Sequence, residues 1–367
     1  MKPVLFVTGH APAYRVGAFA RLHSREEIEL ALFGGRTKHG GGVFEGEMPL
    51  PHRHVRPSQL ASLAASGRYR AVVCPTGGRV ALGATWAGAR RARVPLILWA
   101  SLWAHPRSAA HALSYLPLRR LYRSADAVVT YGPHVSAYVR ARGAQNVHVA
   151  PQSVDNDFWR APDVAPPSER SWPAEARTKF LFVGRPAREK GLAVLVAAWR
   201  ASGLQAPAAA LVLVGVGAGH SWISAAGANG RQDASVICLD PVSPVEVRNL
   251  YAASDVLVLP SIPTRTFREP WGLVVNEAMN RGLPVIASDA VGAAAGGLVR
   301  DGENGLVVPA GDSAALADAI GRLAADAPLR ARLGRTAADD VRAFSHDAWA
   351  HGFSQALSSL GLSRERW

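Results

Sequence analysis

Two carboxylates bracket an otherwise apolar run in FREPWGLVVNEAM, Phe267 to Met279: Glu269 and, eight positions on, Glu277. Burying a carboxylate without partners costs several kcal/mol or drives its pKa upward, so polar groups must meet both. A helix through this run sets the two roughly 12 Å apart along its axis, at 1.5 Å per residue. A nucleotide diphosphate-sugar has a comparable spread between its ribose hydroxyls and its sugar. Both ends are diols, which a carboxylate accepts from in bidentate fashion. Pro270 suits a first helical position, and Gly272 leaves backbone N–H groups open toward a diphosphate. A plainer reading stays open: Glu269 caps the helix and Glu277 lies on a wet face.

FVGRPAREKGL supplies the matching cations. Gly184 ends a strand, Arg185 and Lys190 occupy the loop, and a helix starts near Gly191. Such a helix start favours an anion, to which Arg offers a planar fork and Lys a point charge. LVGVGAGH gives a second glycine-rich strand exit at Gly215, Gly217 and Gly219. Taken singly these signals are weak, since glycine loops follow strands in most α/β proteins. Asp155-Asn156-Asp157 has the composition of a divalent-metal motif but reads as a polar turn. No metal is expected.

The elements that must position these groups follow a repeated grammar. PVLFVTG, ELALFGG, AVVCPTGG, PLILWAS, DAVVTYG and NVHVAPQ are short apolar runs separated by helical stretches. KFLFVGR, ALVLVGVG, SVICLD, DVLVLPS, LPVIAS and NGLVVPA repeat the pattern. Continuous apolar strands closed by Gly or Pro turns predict parallel sheets covered on both faces. The chain reads as an α/β protein of two doubly wound (Rossmann-like) domains, 1–165 and 172–345, facing a central cleft. The carboxyl-terminal helix, about 346–367, is expected to pack back on the first. RAPDVAPPSERSWPAEART, Arg160 to Thr178, is the linker. Ligands of such sheets sit at the carboxyl ends of the strands.

Composition narrows the classes. The 367 residues are 49% hydrophobic and 19% charged, which suits a globular protein. Cys74 and Cys238 lie far apart in apolar runs, which excludes a disulfide framework. No apolar run reaches the roughly 20 residues of a membrane helix. MKPVLFVTGH reads as a first strand, not a signal peptide, and a cytoplasmic location is expected. The net charge of +13 raises an anion- or nucleic-acid-binding alternative, but no nucleic-acid motif accompanies it. Residues 1–170 hold 22 Lys+Arg against 10 Asp+Glu; residues 171–367 hold 19 against 18. HALSYLPLRRLYRS, His111 to Ser124, reads as an amphipathic helix over the sheet. Its Arg119, Arg120 and Arg123 also suit weak contact with an anionic membrane surface or an acidic acceptor.

FVGRPAREKGL, LVLVGVGAG, LYAASDVLVLPS, EPWGLVVNEAMNRGLPVIAS and VRDGENGLVVPAGD, in this order across Lys179 to Ala319, resemble the family-four retaining glycosyltransferases of GT-B architecture. The resemblance implies that Glu277 holds the ribose hydroxyls and Glu269 the donor sugar, and that Arg185 and Lys190 bind the diphosphate. Backbone at Gly272 and Leu273, with Gly184 and Gly215, completes the donor site. His105, after PLILWAS, falls near a histidine that relatives carry beside the sugar, and His10 is a second candidate by topology. Departures are Gln152-Ser153 where Asn-Gly is usual, TGHAPAYRVGAF in place of a glycine-rich first loop, and Gly296-Gly297 where relatives carry an acid. The implied activity is metal-independent, hexosyltransferase-like transfer from a nucleotide diphosphate-sugar, UDP- ahead of GDP-, to a small-molecule, glycan or lipid acceptor. An epimerase of the same fold is the alternative. With no obvious nucleophile, the expected chemistry is same-face displacement through an oxocarbenium-like state, assisted by domain closure. The Arg-rich composition, 37 Arg against 4 Lys, suits a GC-rich bacterial genome and specialised metabolism.

Overall fold

The computed structural model describes residues 1–34, 48–162, 165–167, 172–217 and 235–364. Gly219 and linker residues 163–164 and 168–171 lie outside the described residues. Two units emerge: Met1–Asp155 with Phe344–Trp367, and Asn156–Ala343. The helix Asn156–Arg160 therefore counts with the second unit, ahead of the linker read from composition.

In the first unit, strands β1 Val4–Thr8, β2 Ile28–Leu32, β3 His52–His54, β4 Ala71–Pro75, β5 Leu96–Ala100, β6 Ala127–Thr130 and β7 Val147–Val149 form one sheet. Its order is β3-β2-β1-β4-β5-β6-β7, every pairing parallel. Val4, Leu5, Phe6 and Val7 of β1 are wholly buried, as a strand covered on both faces requires. The edge strand β3 is the polar His-Arg-His, which no apolar run announces. The last helix, His346–Ser358, belongs here. Ser345 caps it by accepting from Ala348 N at 3.1 Å. Its Trp349 and Phe353 close an aromatic cluster with Phe6 and Phe19, at centroid separations of 4.6–6.1 Å. Buried Glu26 anchors the residues beyond, pairing with Arg70 at 2.8 Å and accepting from Ser363 Oγ at 2.7 Å.

In the second unit, β8 Thr178–Val183, β9 Ala209–Val214, β10 Val236–Leu239, β11 Val256–Leu259, β12 Val285–Ser288 and β13 Gly305–Val308 pair in the order β10-β9-β8-β11-β12-β13, again all parallel. The strand order reverses between β8 and β11. A doubly wound sheet opens a crevice at such a point, at the carboxyl ends of the two strands.

Candidate active site

Both groups of candidate residues in the second unit leave the sheet at this reversal. After β8, Gly184 N still pairs with Val214 O at 3.0 Å. The chain then turns through Arg185 to the short 3-10 segment Arg188–Lys190 and enters the helix Leu192–Ala201. Gly191 makes the turn possible. Its φ is +68°, and a Cβ there would stand 1.9 Å from the Pro260 carbonyl oxygen. Only glycine lets the two strand exits come this close. Gly215, at φ +82°, likewise brings the β9 exit against the Gly184 carbonyl, 2.8 Å from where a Cβ would lie.

The central contact is between these exits. Lys190 Nζ donates to Glu269 Oε2 at 2.6 Å, and Ser261 Oγ donates to the same oxygen at 3.3 Å. Glu269 is 8% exposed, so the carboxylate that composition set among apolar residues is held by a cation and a hydroxyl. Arg185 is nearly half exposed and stands 3.7 Å from Glu189 of its own loop. Lys190 and Glu269 therefore meet each other directly, while Arg185 faces Glu189 at the loop surface.

Glu269 is not at a helix tip as the sequence suggested. It forms an isolated parallel bridge with Val291, its carbonyl accepting from Gly292 N at 3.1 Å. Gly272 follows at φ +95°, and the helix begins only at Val274, with Leu273 at the N-cap and Pro270 outside. A kinked segment thus separates the two glutamates, and the 12 Å axial spacing does not apply. The helix, Val274–Asn280, spans seven residues.

Glu277 lies in that helix's first turn and accepts from Tyr251 Oη at 2.9 Å. Although the residue keeps some exposure, burial of its carboxyl pushes the pKa up to about 7, against the opposing pull of the Tyr251 hydrogen bond. The Tyr251 hydroxyl is raised well above its usual range by burial and by the Glu277 charge. Ser261 and Tyr251 escaped the sequence reading. Each stands inside a quoted motif, DVLVLPS and LYAASD, and a buried Tyr needs a hydroxyl partner.

The remaining candidates belong to the first unit. His105 Nε2 donates to His111 O at 2.8 Å, which leaves Nδ1 to accept from Tyr138 Oη at 3.3 Å. Both ring nitrogens are thereby engaged within that unit. His10, after β1, is partly exposed. Gln152 accepts from buried Arg15, and Ser153 Oγ lies 3.1 Å from His346 Nδ1. Asn156, between Asp155 and Asp157, accepts from Asn280. Among the described residues no cluster of three or more His, Cys, Asp or Glu could hold a metal ion.

Residues 177–326 match the family model of glycosyl transferases group 1. The chain is 33% identical to a D-inositol 3-phosphate glycosyltransferase of Stackebrandtia nassauensis over 233 residues, 60% of this chain and 49% of the relative. With the same-named protein of Nocardia farcinica it shares 30% identity over 297 residues, 76% of this chain and 63% of the relative. The chain thus spans less than two thirds of these relatives. Among solved structures it superposes on Anabaena Alr3699/HepE, in complex with UDP and glucose, with a TM-score of 0.74 at 19% identity, covering 98% of this chain and all of that one. Sucrose-phosphate synthase of Thermosynechococcus elongatus gives 0.71 at 22% identity, with 98% and 99% covered. The chain is therefore similar to the family-four, group 1 glycosyltransferases, with their domain over residues 177–326 and the two parallel sheets of the GT-B fold.

Proposed function

We propose that the protein is a retaining, metal-independent glycosyltransferase that moves a sugar from a nucleotide diphosphate-sugar, UDP- ahead of GDP-, to a small anionic acceptor. The Lys190–Glu269 pair at the strand reversal carries the reading, because it sets a cation and a hydroxyl-accepting carboxylate where a doubly wound sheet takes its ligand. The UDP complex of Alr3699/HepE and the names of the D-inositol 3-phosphate glycosyltransferases support donor and acceptor class respectively. The +12 net charge of residues 1–170 (22 minus 10) favours an anionic acceptor.

In this reading Glu277 accepts from the ribose diol and Glu269 from hydroxyls of the donor sugar. Lys190 and Arg185 draw charge from the departing diphosphate, with backbone at Gly272 and Leu273 beside it and the Gly184 and Gly215 exits framing the phosphates. Lys190 exchanges part of its contact with Glu269 for phosphate oxygens, so donor binding releases Glu269 toward the sugar. His105 must give up its bond to His111 O or Tyr138 to reach a substrate. Transfer proceeds by same-face displacement, the leaving diphosphate accepting the acceptor proton.

Incubation with a nucleotide-sugar panel, with and without D-inositol 3-phosphate and other polyol phosphates, tests the assignment. Nucleotide release that requires an acceptor and survives EDTA is expected. An altered sugar without release means epimerisation, and a strict need for Mn²⁺ or Mg²⁺ points back to Asp155 and Asp157.

A further inference from the structure

From residue 48 to residue 125 the chain carries 12 Arg, no Lys, and neither Asp nor Glu. Four of these arginines are engaged within the first unit: Arg53 and Arg68 on Glu29, Arg70 on Glu26, and Arg90 on the Ser124 carbonyl. Of the remainder, Arg119, Arg120 and Arg123 lie on the helix Ala109–Ser124. At 3.6 residues per turn, Leu113, Leu116, Pro117, Arg120 and Arg123 share one face roughly 120° wide. All five are exposed, Leu113 by 82% and Leu116 by 68%. The opposite face, with Tyr122 buried and Leu118 and Leu121 packed on the core, already covers the sheet. No carboxylate pairs with Arg120 or Arg123 among the described residues.

We propose that this outward face docks on an anionic bilayer surface, Arg120 and Arg123 meeting lipid phosphates while Leu113 and Leu116 enter the headgroup boundary. Charge complementarity argues for an anionic partner: a basic tract without a single acid attracts anions and repels nothing from them. The two exposed leucines select lipid over a soluble polyanion. Polyanions make no use of a large aliphatic side chain, whereas an interfacial helix needs both kinds of residue on its outer side. None of these residues is assigned to the donor in the proposed transfer reaction, so the docking can be tested apart from it.

The full chain is mixed with phosphatidylcholine vesicles, with or without about one third phosphatidylglycerol, and sedimented. Partition onto the anionic vesicles at least about tenfold above the neutral ones is expected. It should vanish near 1 M salt, where the Debye length falls to about 3 Å. Arg120→Glu with Arg123→Glu should lower partition about tenfold, and Leu113→Ser with Leu116→Ser about threefold, without a change in melting temperature. Equal pelleting with both vesicle types, or none with either, overturns the proposal whatever the variants do. Pelleting that persists in high salt means apolar insertion, which also overturns a charge-led contact. Wild-type partition by the leucine variant, with loss only in the arginine variant, leaves the leucines without a role and overturns the proposed two-part contact.

Discussion

Lys190 and Glu269 arise from the exits of two different strands, β8 and β11, yet Nζ and Oε2 stand 2.6 Å apart. Neither side chain is more than one fifth exposed, and each supplies the other with a counter-charge. A ligand anion that takes the cation must leave the carboxylate in need of hydroxyl donors. A nucleotide-sugar brings both groups at once.

Removing the cation should therefore damage more than phosphate binding. Lys190→Ala is expected to lower kcat/KM at least about tenfold and, by removing the counter-charge of Glu269, to destabilise the fold by about 1–3 kcal/mol. Glu269→Gln in the same chain should recover part of that stability without recovering turnover. Strict additivity of the two melting-temperature changes in a double-mutant cycle would remove the pair from the account.

Nucleotide affinity should depend on pH through Glu277. Its pKa is raised to about 7, so the group's contribution to stability is full below the ordinary carboxylate value near 4.5 and is lost as pH rises through 7. The ionised form is the better acceptor for a ribose diol, so uridine affinity should rise over the same interval, with proton release. Calorimetry in buffers of different ionisation enthalpy measures that proton, and Glu277→Gln should flatten the profile. Tyr251→Phe should move the midpoint upward, because its hydrogen bond holds the pKa down.

Two glycines with the same backbone offer a matched comparison. Gly191 and Gly203 both have φ +68°, but a Cβ at Gly191 meets the Pro260 carbonyl at 1.9 Å while one at Gly203 meets nothing within 4 Å. Gly203→Ala should cost about 1 kcal/mol of backbone strain and leave activity intact. Gly191→Ala should cost clearly more and abolish nucleotide binding, since it parts the two strand exits. Similar denaturation midpoints for the two variants would contradict the close approach.

His346 predicts acid lability of the first unit. Burial, reinforced by the Arg15 charge, lowers its pKa to about 4. A depressed histidine adds stability that is complete above its ordinary value near 6.5 and disappears as pH falls through 4. Roughly 2–3 kcal/mol should be lost between pH 7 and 4.5. Urea titrations of the wild type and His346→Gln at these two pH values give the difference, which should shrink in the variant.

Twelve of the thirteen described strands were legible as apolar runs, because a strand buried on both faces must be written in Val, Leu, Ile, Phe and Ala. His52–His54 was not, since that edge strand exists only through its pairing with β2. Lys190 and Glu269 stood out by residue type and spacing but not as each other's partner, a fact that depends on two loops 79 positions apart. Glu269 was misplaced on a helix because Pro270 fits a first helical turn. The bridge to Val291 and the positive φ of Gly272 override that local preference. Tyr251 was not singled out, because its hydroxyl's destination is set by tertiary packing alone.

The chain leaves the first unit after Asp155 and returns to it at Phe344. During synthesis, Phe6 and Phe19 emerge early, but Trp349 and Phe353, which complete their cluster, are made more than 300 residues later. The second unit, by contrast, is continuous and can close as soon as Ala343 clears the ribosome. The half made first is thus the half finished last, and a nascent chain stalled near residue 343 would expose an aromatic core awaiting its lid, a natural target for chaperones.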